Sequence, residues 1–538
     1  MGWNYGDISD AIGEVIPSDN PALIHDGKVT TWGDFVTRTN NLASQLLERG
    51  LKTNDKVAFY LRNVPEYSEL QVACFKSRLV HVNINYRYVA DELHYIVDNS
   101  DSKAVFYSTE FADRVEVIKP NLPKVEHWIE VQDGAQGIEG ATQYEDLVST
   151  GDGKPLGIER SPDDQVFLYT GGTTGMPKGV IWRQTSIWGD EGGANAMNDY
   201  TPPKDLAEHV ENIKAMGGFG AKILVACPLM HGTGMLTAMA GMAGGGCVVT
   251  QSMLKFDANE LWACVERDGV NAISIVGDAF AKPMLNALEE NPGKWNLSSL
   301  MGITSSGLMW SPDVKKGLLK HHDGMMLMDK FGSSEGLGFG GVETRAGEEV
   351  SSAKFEIGPT CKVFTEDFKE VTPGSDEVGF IAMRGHLPVG YYKDPEKTEK
   401  TFPTINGERY SIPGDWCQVR ADGSLILLGR GSVCINSGGE KIYPEEIEEV
   451  LKSNPGVEDA LVVGVPDDKW GQSVTALVQP SPGQNLDEKE MITFVKEHLA
   501  AYKAPKKVLF NDTIFRAPNG KSDYKRVTEY AKEKLGIA

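Results

Sequence analysis

The sequence is short of cysteine and shows no pattern in it. Seven cysteines, at positions 74, 227, 247, 264, 361, 417 and 434, are odd in number, and no two form a Cys-x-x-Cys pair. This excludes a disulfide framework, a zinc ribbon and a dithiol redox motif, and it fits a reducing compartment, so a cytoplasmic location is expected. Apolar runs stay well below the ~20 residues that a membrane-spanning helix needs, so no stable membrane insertion is expected. The N-terminus, Met1-Gly-Trp-Asn-Tyr-Gly-Asp7, lacks the basic stretch and apolar core of a secretory leader, and position 6 is glycine where a myristoylation signal takes serine or threonine. The C-terminal Gly536-Ile-Ala538 matches neither a peroxisomal nor a prenylation pattern. Positive charge is scarce as well. Lysine and arginine number 53 against 76 aspartates and glutamates, a formal charge of −23 with no dense basic block. Such a field repels phosphate backbones and anionic lipid, so no nucleic-acid partner is expected, and any nucleotide has to be held by a local site.

The rest of the composition is that of a globular chain. With 41% hydrophobic and 24% charged residues over 538 positions, there is material for three or four folding units. Fifty-nine glycines are the one excess, and they point to many tight turns or close backbone approaches.

Short β-rich runs at 56–61, 104–107, 165–170, 223–227 and 272–275 alternate with longer helical patterns such as 31–49 and 258–268. This order predicts an α/β fold of parallel sheets with helices on both faces. From about 342 to 428 the texture changes to short strands separated by turn signals (Thr372-Pro-Gly-Ser-Asp376, Ile412-Pro-Gly-Asp415, Ala421-Asp-Gly-Ser424), which predicts a small β-barrel-like or antiparallel subdomain. After Gly429-Arg430-Gly431 comes a compact α+β unit: helix 444–453, strands at 461–465 and 474–478, helix 487–499 and strand 507–510. The expected boundary near 430 separates a large N-terminal domain, 1–430, from a small C-terminal domain, 431–538. The turn-rich stretch 516–522 is expected to be a loop, whose Lys521 is free to reach elsewhere.

The sharpest local signal follows the run 165–170: Thr170-Gly-Gly-Thr-Thr-Gly-Met-Pro-Lys-Gly179. Its glycines let backbone N–H groups converge on an anion, its threonines add hydroxyl donors and Lys178 adds a positive charge, so the segment is a candidate phosphate cradle. It is not a Walker loop, because Pro177 precedes Lys178 and Gly179 follows it. The plainer reading is a glycine-rich strand-to-helix turn.

This run resembles the signature of the adenylate-forming superfamily of acyl-CoA synthetases, adenylation domains and luciferases. Further blocks look like that family's and follow in its order: Pro228-Leu-Met-His-Gly232, Ser305-Ser-Gly307, Asp329-Lys-Phe-Gly-Ser-Ser-Glu335, Gly390-Tyr-Tyr-Lys-Asp-Pro395, Gly414-Asp415, Gly429-Arg430, Gly438-Gly-Glu-Lys-Ile-Tyr-Pro-Glu-Glu-Ile-Glu448 and Asn519-Gly-Lys521. The resemblance spans nearly the whole chain. It implies a ligase that uses ATP, Mg2+ and coenzyme A: a small-molecule carboxylic acid attacks the α-phosphate, pyrophosphate leaves, and coenzyme A displaces AMP from the acyl-adenylate.

The same resemblance implies the roles of individual residues. Thr170, Gly171, Gly172, Thr173, Thr174 and Lys178 would cradle the ATP phosphates, and Ser306, Gly307, Asp329, Phe331, Gly332 and Ser334 would line the AMP site. Phe331 would stack on adenine, Asp415 would accept from both ribose hydroxyls, and Arg430 would reach ribose or phosphate. Glu335, with Thr174, would face magnesium, a hard cation that prefers oxygen ligands. Lys521 would contact the carboxylate and α-phosphate in the first half-reaction, and His231 would stand beside the acyl pocket. Gly438 and Gly439 would line the pantetheine passage with Lys441 near a phosphate, and rotation about Ser432 would exchange the two half-reactions. Singly, each residue has a plainer reading: a surface glutamate, a core phenylalanine, an Asx turn, a linker arginine, a solvated lysine, a structural histidine. The chain departs from the family pattern at Ser334, usually threonine, and at Ser432, usually aspartate or lysine. Cys434 is assigned no catalytic role.

Glycine-rich stretches 241–246 and 332–341, with segment 277–284, are candidate acyl-pocket walls, and their small residues point to a medium-chain, long-chain or bulky acid. Asn85-Tyr-Arg-Tyr88 and Val180-Ile-Trp-Arg183 look like the fatty-acid and steroid-side-chain ligase subgroup. Two other readings remain at this point: an adenylating enzyme with a non-CoA acceptor, and a non-catalytic nucleotide-binding protein on the same fold. A homodimer is the expected assembly.

Overall fold

Along strand Lys56–Tyr60, Val57 and Phe59 pack into one apolar core while Ala58 and Tyr60 pack into another. Strand side chains alternate faces, so a strand that is apolar at every position has to be covered on both. The same division recurs at Leu224 and Val225 and at Val248 and Val249. It produces a layered α/β architecture. The computed structural model of the chain describes all residues except 1–2, 173–174, 196–202, 219, 349, 351–353, 431–432, 438–439, 468–470, 500, 517–521 and 538.

Among the described residues, thirteen strands form one sheet and eight another. The smaller sheet runs parallel through Gln165–Gly172, Val80–Asn83, Lys56–Tyr60, Ser102–Ser108, His127–Val131 and Thr142–Gln143. The larger has a parallel centre of Pro21–His25, Cys247–Thr250, Lys222–Val225, Ala272–Ile275, Gly302–Ser306 and Met326–Ser333. Apolar residues of both sheets meet around helices Trp32–Glu48, Pro65–Lys76 and Gly232–Ala243. Helices Ala258–Asp268, Asp278–Glu290 and Pro312–His321 cover the other face of the larger sheet, and Ala90–Asn99 and Ala112–Ile118 that of the smaller.

Local signals place the element ends. The helix expected at 31–49 is Trp32–Glu48, whose first turn is capped by the Thr31 hydroxyl accepting from the Asp34 amide. The helix at 258–268 starts after Asp257, which accepts from the amides of Asn259 and Glu260, and stops at Gly269 in a left-handed conformation, φ 64°.

The short strands expected as a barrel-like unit, Lys354–Ile357, Cys361–Phe364, Val378–Met383, Asp415–Val419 and Leu425–Arg430, are antiparallel and enclose their own core around Phe355, Val363, Ile381, Cys417 and Leu425. They continue the larger sheet, because Lys354–Ile357 pairs with Gly336–Thr344 on one side and Leu425–Arg430 on the other. The C-terminal α+β unit has a separate sheet of Glu440–Ile442, Ile435–Ser437, Gly471–Pro480 and Val457–Asp467, with Lys507–Phe510 parallel to Gly471–Pro480. It meets the larger part where Lys282 Nζ donates to the Glu458 carbonyl at 2.9 Å. Among the described residues no helix is long and apolar enough to cross a membrane.

Candidate active site

A cavity of about 2560 Å³ opens where strand ends from both sheets, the antiparallel region and the C-terminal unit converge. Asn83, Thr170, Ser306 and Phe331, each at or near the carboxyl end of a parallel strand, stand on its wall, the usual place for a ligand in an open α/β sheet.

The glycine-rich segment does not lead into a helix. Strands Gln165–Gly172 and Gly175–Arg183 pair antiparallel, Thr170 opposite Lys178 and Gly172 opposite Gly175, so the motif is the end of a β-hairpin and the strand-to-helix reading is corrected. Gly179 permits this close pairing, since a Cβ there would lie 2.7 Å from the Tyr169 ring. Thr170 and Lys178 face the cavity, and the Lys178 ammonium forms an ion pair with Asp394 that holds the Asp394 carboxyl below its ordinary range. Gly171 and Gly172 close the first strand. Thr173 and Thr174 lie outside the described residues.

Strand Met326–Ser333 carries the next block. Phe331 is both wall and core: it lines the cavity while its ring packs at 5.6 Å from Phe339 and 5.5 Å from Phe355. Beside it Gly332 leaves space, because a Cβ there would come no nearer than 3.4 Å to a neighbour. Asp329 is buried with its carboxylate 2.9 Å from the equally buried Lys315 ammonium. Burial pushes that carboxyl up, and Lys315 opposes the shift. The Ser334 carbonyl accepts from Trp182 Nε1 at 2.9 Å. Glu335 lines the cavity with Oε1 accepting from the Tyr391 hydroxyl at 2.6 Å.

Ser306 and Gly307 face the same space. The Ser306 carbonyl accepts from the Thr233 hydroxyl at 3.4 Å, and Gly307 turns with φ 97°. Asp415 is buried at the cavity and begins a strand in which it stands directly opposite Arg430. His231 precedes helix Gly232–Ala243, its amide donating to the Pro228 carbonyl at 3.1 Å, and lines the cavity beside Thr233. Lys441 lies in strand Glu440–Ile442, opposite Asn436. Ser432, Gly438, Gly439 and Lys521 lie outside the described residues.

The structure adds residues that sequence reasoning missed. Asn63 donates to the carbonyls of Val225 and Cys227 and accepts from the Leu229 amide at 2.7 Å, while Asn83 donates to the Met230 carbonyl at 2.6 Å. Two asparagines of the smaller sheet's half thus hold the loop that presents His231. The available signal was a polar residue closing the apolar run Val80-His-Val-Asn83, at the end of a parallel strand where ligands bind.

Glu335 suits magnesium in one specific sense. Among the described residues no three His, Cys, Asp or Glu side chains converge on a metal site. Glu335 offers a hard oxygen donor on the cavity wall, the ligand type taken by an ion that keeps its waters and shares substrate phosphates, as magnesium does.

A large cavity at strand ends, shared between a large α/β part and a small C-terminal one and walled by these motifs, defines an adenylate-forming enzyme, and the chain belongs to the AMP-binding enzyme family, whose pattern matches residues 14–392. The pattern of the AMP-binding enzyme C-terminal domain matches residues 446–521. The chain is 40% identical to a 3-oxocholest-4-en-26-oate–CoA ligase of Rhodococcus rhodochrous, over 100% of this chain and 97% of that protein. It is 39% identical to a medium/long-chain-fatty-acid–CoA/3-oxocholest-4-en-26-oate–CoA ligase of Mycobacterium marinum, over 98% and 96%. In fold it is similar to ATP-bound MatB from Rhodopseudomonas palustris, with a TM-score of 0.79 at 22% identity over 99% of this chain and 100% of that one. The anthranilate CoA ligase AuaEII gives a TM-score of 0.82 at 20% identity over 100% and 98%.

Proposed function

We propose that the protein is an AMP-forming acyl-CoA ligase that joins a medium-chain, long-chain or steroid-side-chain carboxylic acid to coenzyme A through an acyl-adenylate. The observation that carries this reading is one continuous cavity holding Lys178, Glu335 and Asp415 and extending along helix Gly232–Ala243. On that helix Thr233, Thr237, Ala240 and Gly241 line the space at helical spacing, followed by Gly244, with Gly220 and Ala221 beyond. Eleven residues of helical rise, about 16 Å, separate Thr233 from Gly244, room for a long or ring-bearing tail. Gly220 also serves packing, since a Cβ there would lie 2.6 Å from the Gly244 carbonyl.

In this reading Lys178 and the hairpin amides bind the phosphates, Phe331 and Gly332 flank the base, and Asp415 accepts from the ribose hydroxyls. Glu335 would hold magnesium, which supplies charge neutralisation on the phosphates when bound. His231 orients the acid's carboxylate at the mouth of the acyl passage. Lys521 stabilises charge as the carboxylate attacks the α-phosphate, and the domain 431–538 then rotates about Ser432, bringing Gly438, Gly439 and Lys441 to coenzyme A. A cytoplasmic homodimer completes the proposal.

The test is an incubation with MgATP, coenzyme A and acids from acetate through long-chain and steroid-side-chain acids, following thiol and pyrophosphate together. Acid-dependent, equal loss of thiol and release of pyrophosphate is expected, greatest for the larger acids. Pyrophosphate release without thiol loss would replace coenzyme A by another acceptor. Lys521→Ala is expected to abolish adenylate formation while thioester formation from pre-made acyl-adenylate survives; equal loss of both would remove its assigned role.

A further inference from the structure

We propose that Tyr391 is a positioning residue for Glu335, and that the segment 390–397 ties this carboxylate to Lys178 as one unit. The inference rests on the reading of Glu335 as the carboxylate that faces magnesium.

Both attachments lie within four residues of each other. At one end the Tyr391 hydroxyl donates to Glu335 Oε1 at 2.6 Å, a short bond of the kind a hydroxyl makes to a carboxylate. At the other, Asp394 takes the Lys178 ammonium and caps helix Pro395–Thr401 by accepting from the Lys397 amide at 3.0 Å. The main chain between them is fastened to the phosphate hairpin. Gly390 pairs with Ile181, Tyr391 pairs with Val180, and the Tyr392 amide donates to the Gly179 carbonyl at 2.8 Å. The Tyr391 amide is itself held by the Thr398 hydroxyl at 2.8 Å.

Glu335 is fastened from its own side. Its amide donates to the Ser333 hydroxyl at 3.1 Å, and its carbonyl accepts from Ser411 at 2.5 Å. With the main chain fixed, the side-chain torsions remain, and the Tyr391 hydroxyl selects among them. One carboxylate oxygen accepts from tyrosine, which leaves the other for a hard cation. Tyr391 is buried, and Lys397 Nζ stands 4.3 Å over its ring, so the phenol is held against rotation. Hydrogen bonds that orient a metal-binding side chain change metal affinity by about 10–100-fold when removed.

Tyr391→Phe deletes the hydroxyl and keeps the ring. ATP binding would be measured calorimetrically on the full-length protein, without acid or coenzyme A, across a magnesium titration. The magnesium concentration that supports ATP binding is expected to rise about 10–100-fold, with metal-free ATP binding unchanged and the ligand-free unfolding midpoint lowered only by the loss of one hydrogen bond. A merely structural tyrosine would lower the midpoint and weaken ATP binding equally with and without metal. Should Tyr391→Phe not fold, Tyr391→Met also deletes the hydroxyl while keeping an apolar side chain and leaving Glu335 intact, and the same rise is expected. Glu335→Gln separates the two readings. If it raises the magnesium requirement and Tyr391→Phe does not, the positioning role is overturned; if neither does, the assignment of Glu335 falls and the positioning role with it.

Discussion

Asn83 grips Tyr169 on both sides of one residue: its Oδ1 accepts from the Tyr169 amide at 2.7 Å, and its Nδ2 donates to the Tyr169 carbonyl at 2.9 Å. Backbone pairing between these strands is made at His81 with Val166 and at Val82 with Phe167, so the side-chain amide extends the ladder. It also holds Met230, one residue before His231. Asn83→Leu would leave a buried N–H and two carbonyls unpaired, at a cost of about 3 kcal/mol. Urea unfolding is expected to show that loss, and steady-state kinetics a raised KM for both ATP and acid. Unchanged KM values would mean that Asn83 supports the sheet but not the site.

Lys178 and Asp394 share one contact, so their substitutions should not add. Lys178→Met is expected to raise the KM for ATP about tenfold, the effect of losing about 1.4 kcal/mol of phosphate binding. Asp394→Asn keeps a capping side chain and should raise it less. The double variant should match Lys178→Met alone, and additive effects would show that the two residues act independently.

Lys315, on helix Pro312–His321, forms a buried ion pair with Asp329, on the strand that carries Phe331. Removing one partner strands the other charge, which costs about 3–5 kcal/mol in such settings, while replacing both with apolar groups is far milder. Chemical denaturation should therefore find Lys315→Met strongly destabilised and Lys315→Met/Asp329→Leu largely restored. Equal destabilisation of the two would indicate that the cavity wall depends on the charges themselves.

His81 is fully buried with Nε2 3.1 Å from the Tyr67 hydroxyl, and burial lowers its imidazole to about 3. The unfolded chain takes up a proton near pH 6.5, the folded protein only near 3. Stability carried by the neutral ring is thus full above about pH 6.5 and is lost as pH falls through the window below it, by about 1.4 kcal/mol per unit. Unfolding midpoints of the wild type and His81→Gln between pH 7 and 4 should diverge, the wild type falling more steeply. Parallel curves would place the proton uptake elsewhere.

Much of this protein was legible in its sequence, because the signals involved are local. Short β-rich runs, the caps at Thr31 and Asp257 and the stop at Gly269 act within a few residues of themselves, so strand Ala272–Ile275 and helix Ala258–Asp268 stand where the pattern put them. The residue types at the cavity were legible for a related reason: glycines, a lysine and a carboxylate at fixed spacing carry their chemistry with them. Tertiary structure decided how they are held. Thr170 to Gly179 folds back because Gly175–Arg183 pairs with its own neighbour Gln165–Gly172, but what covers the outer edge of that hairpin, Gly390 and Tyr391, comes more than 200 residues later. Asn83 on Tyr169, Lys315 on Asp329 and Tyr391 on Glu335 are ordinary polar residues until strand ends from distant segments are packed together. Burial then makes each hydrogen bond obligatory, and no pattern confined to a few residues can encode which distant group will satisfy it.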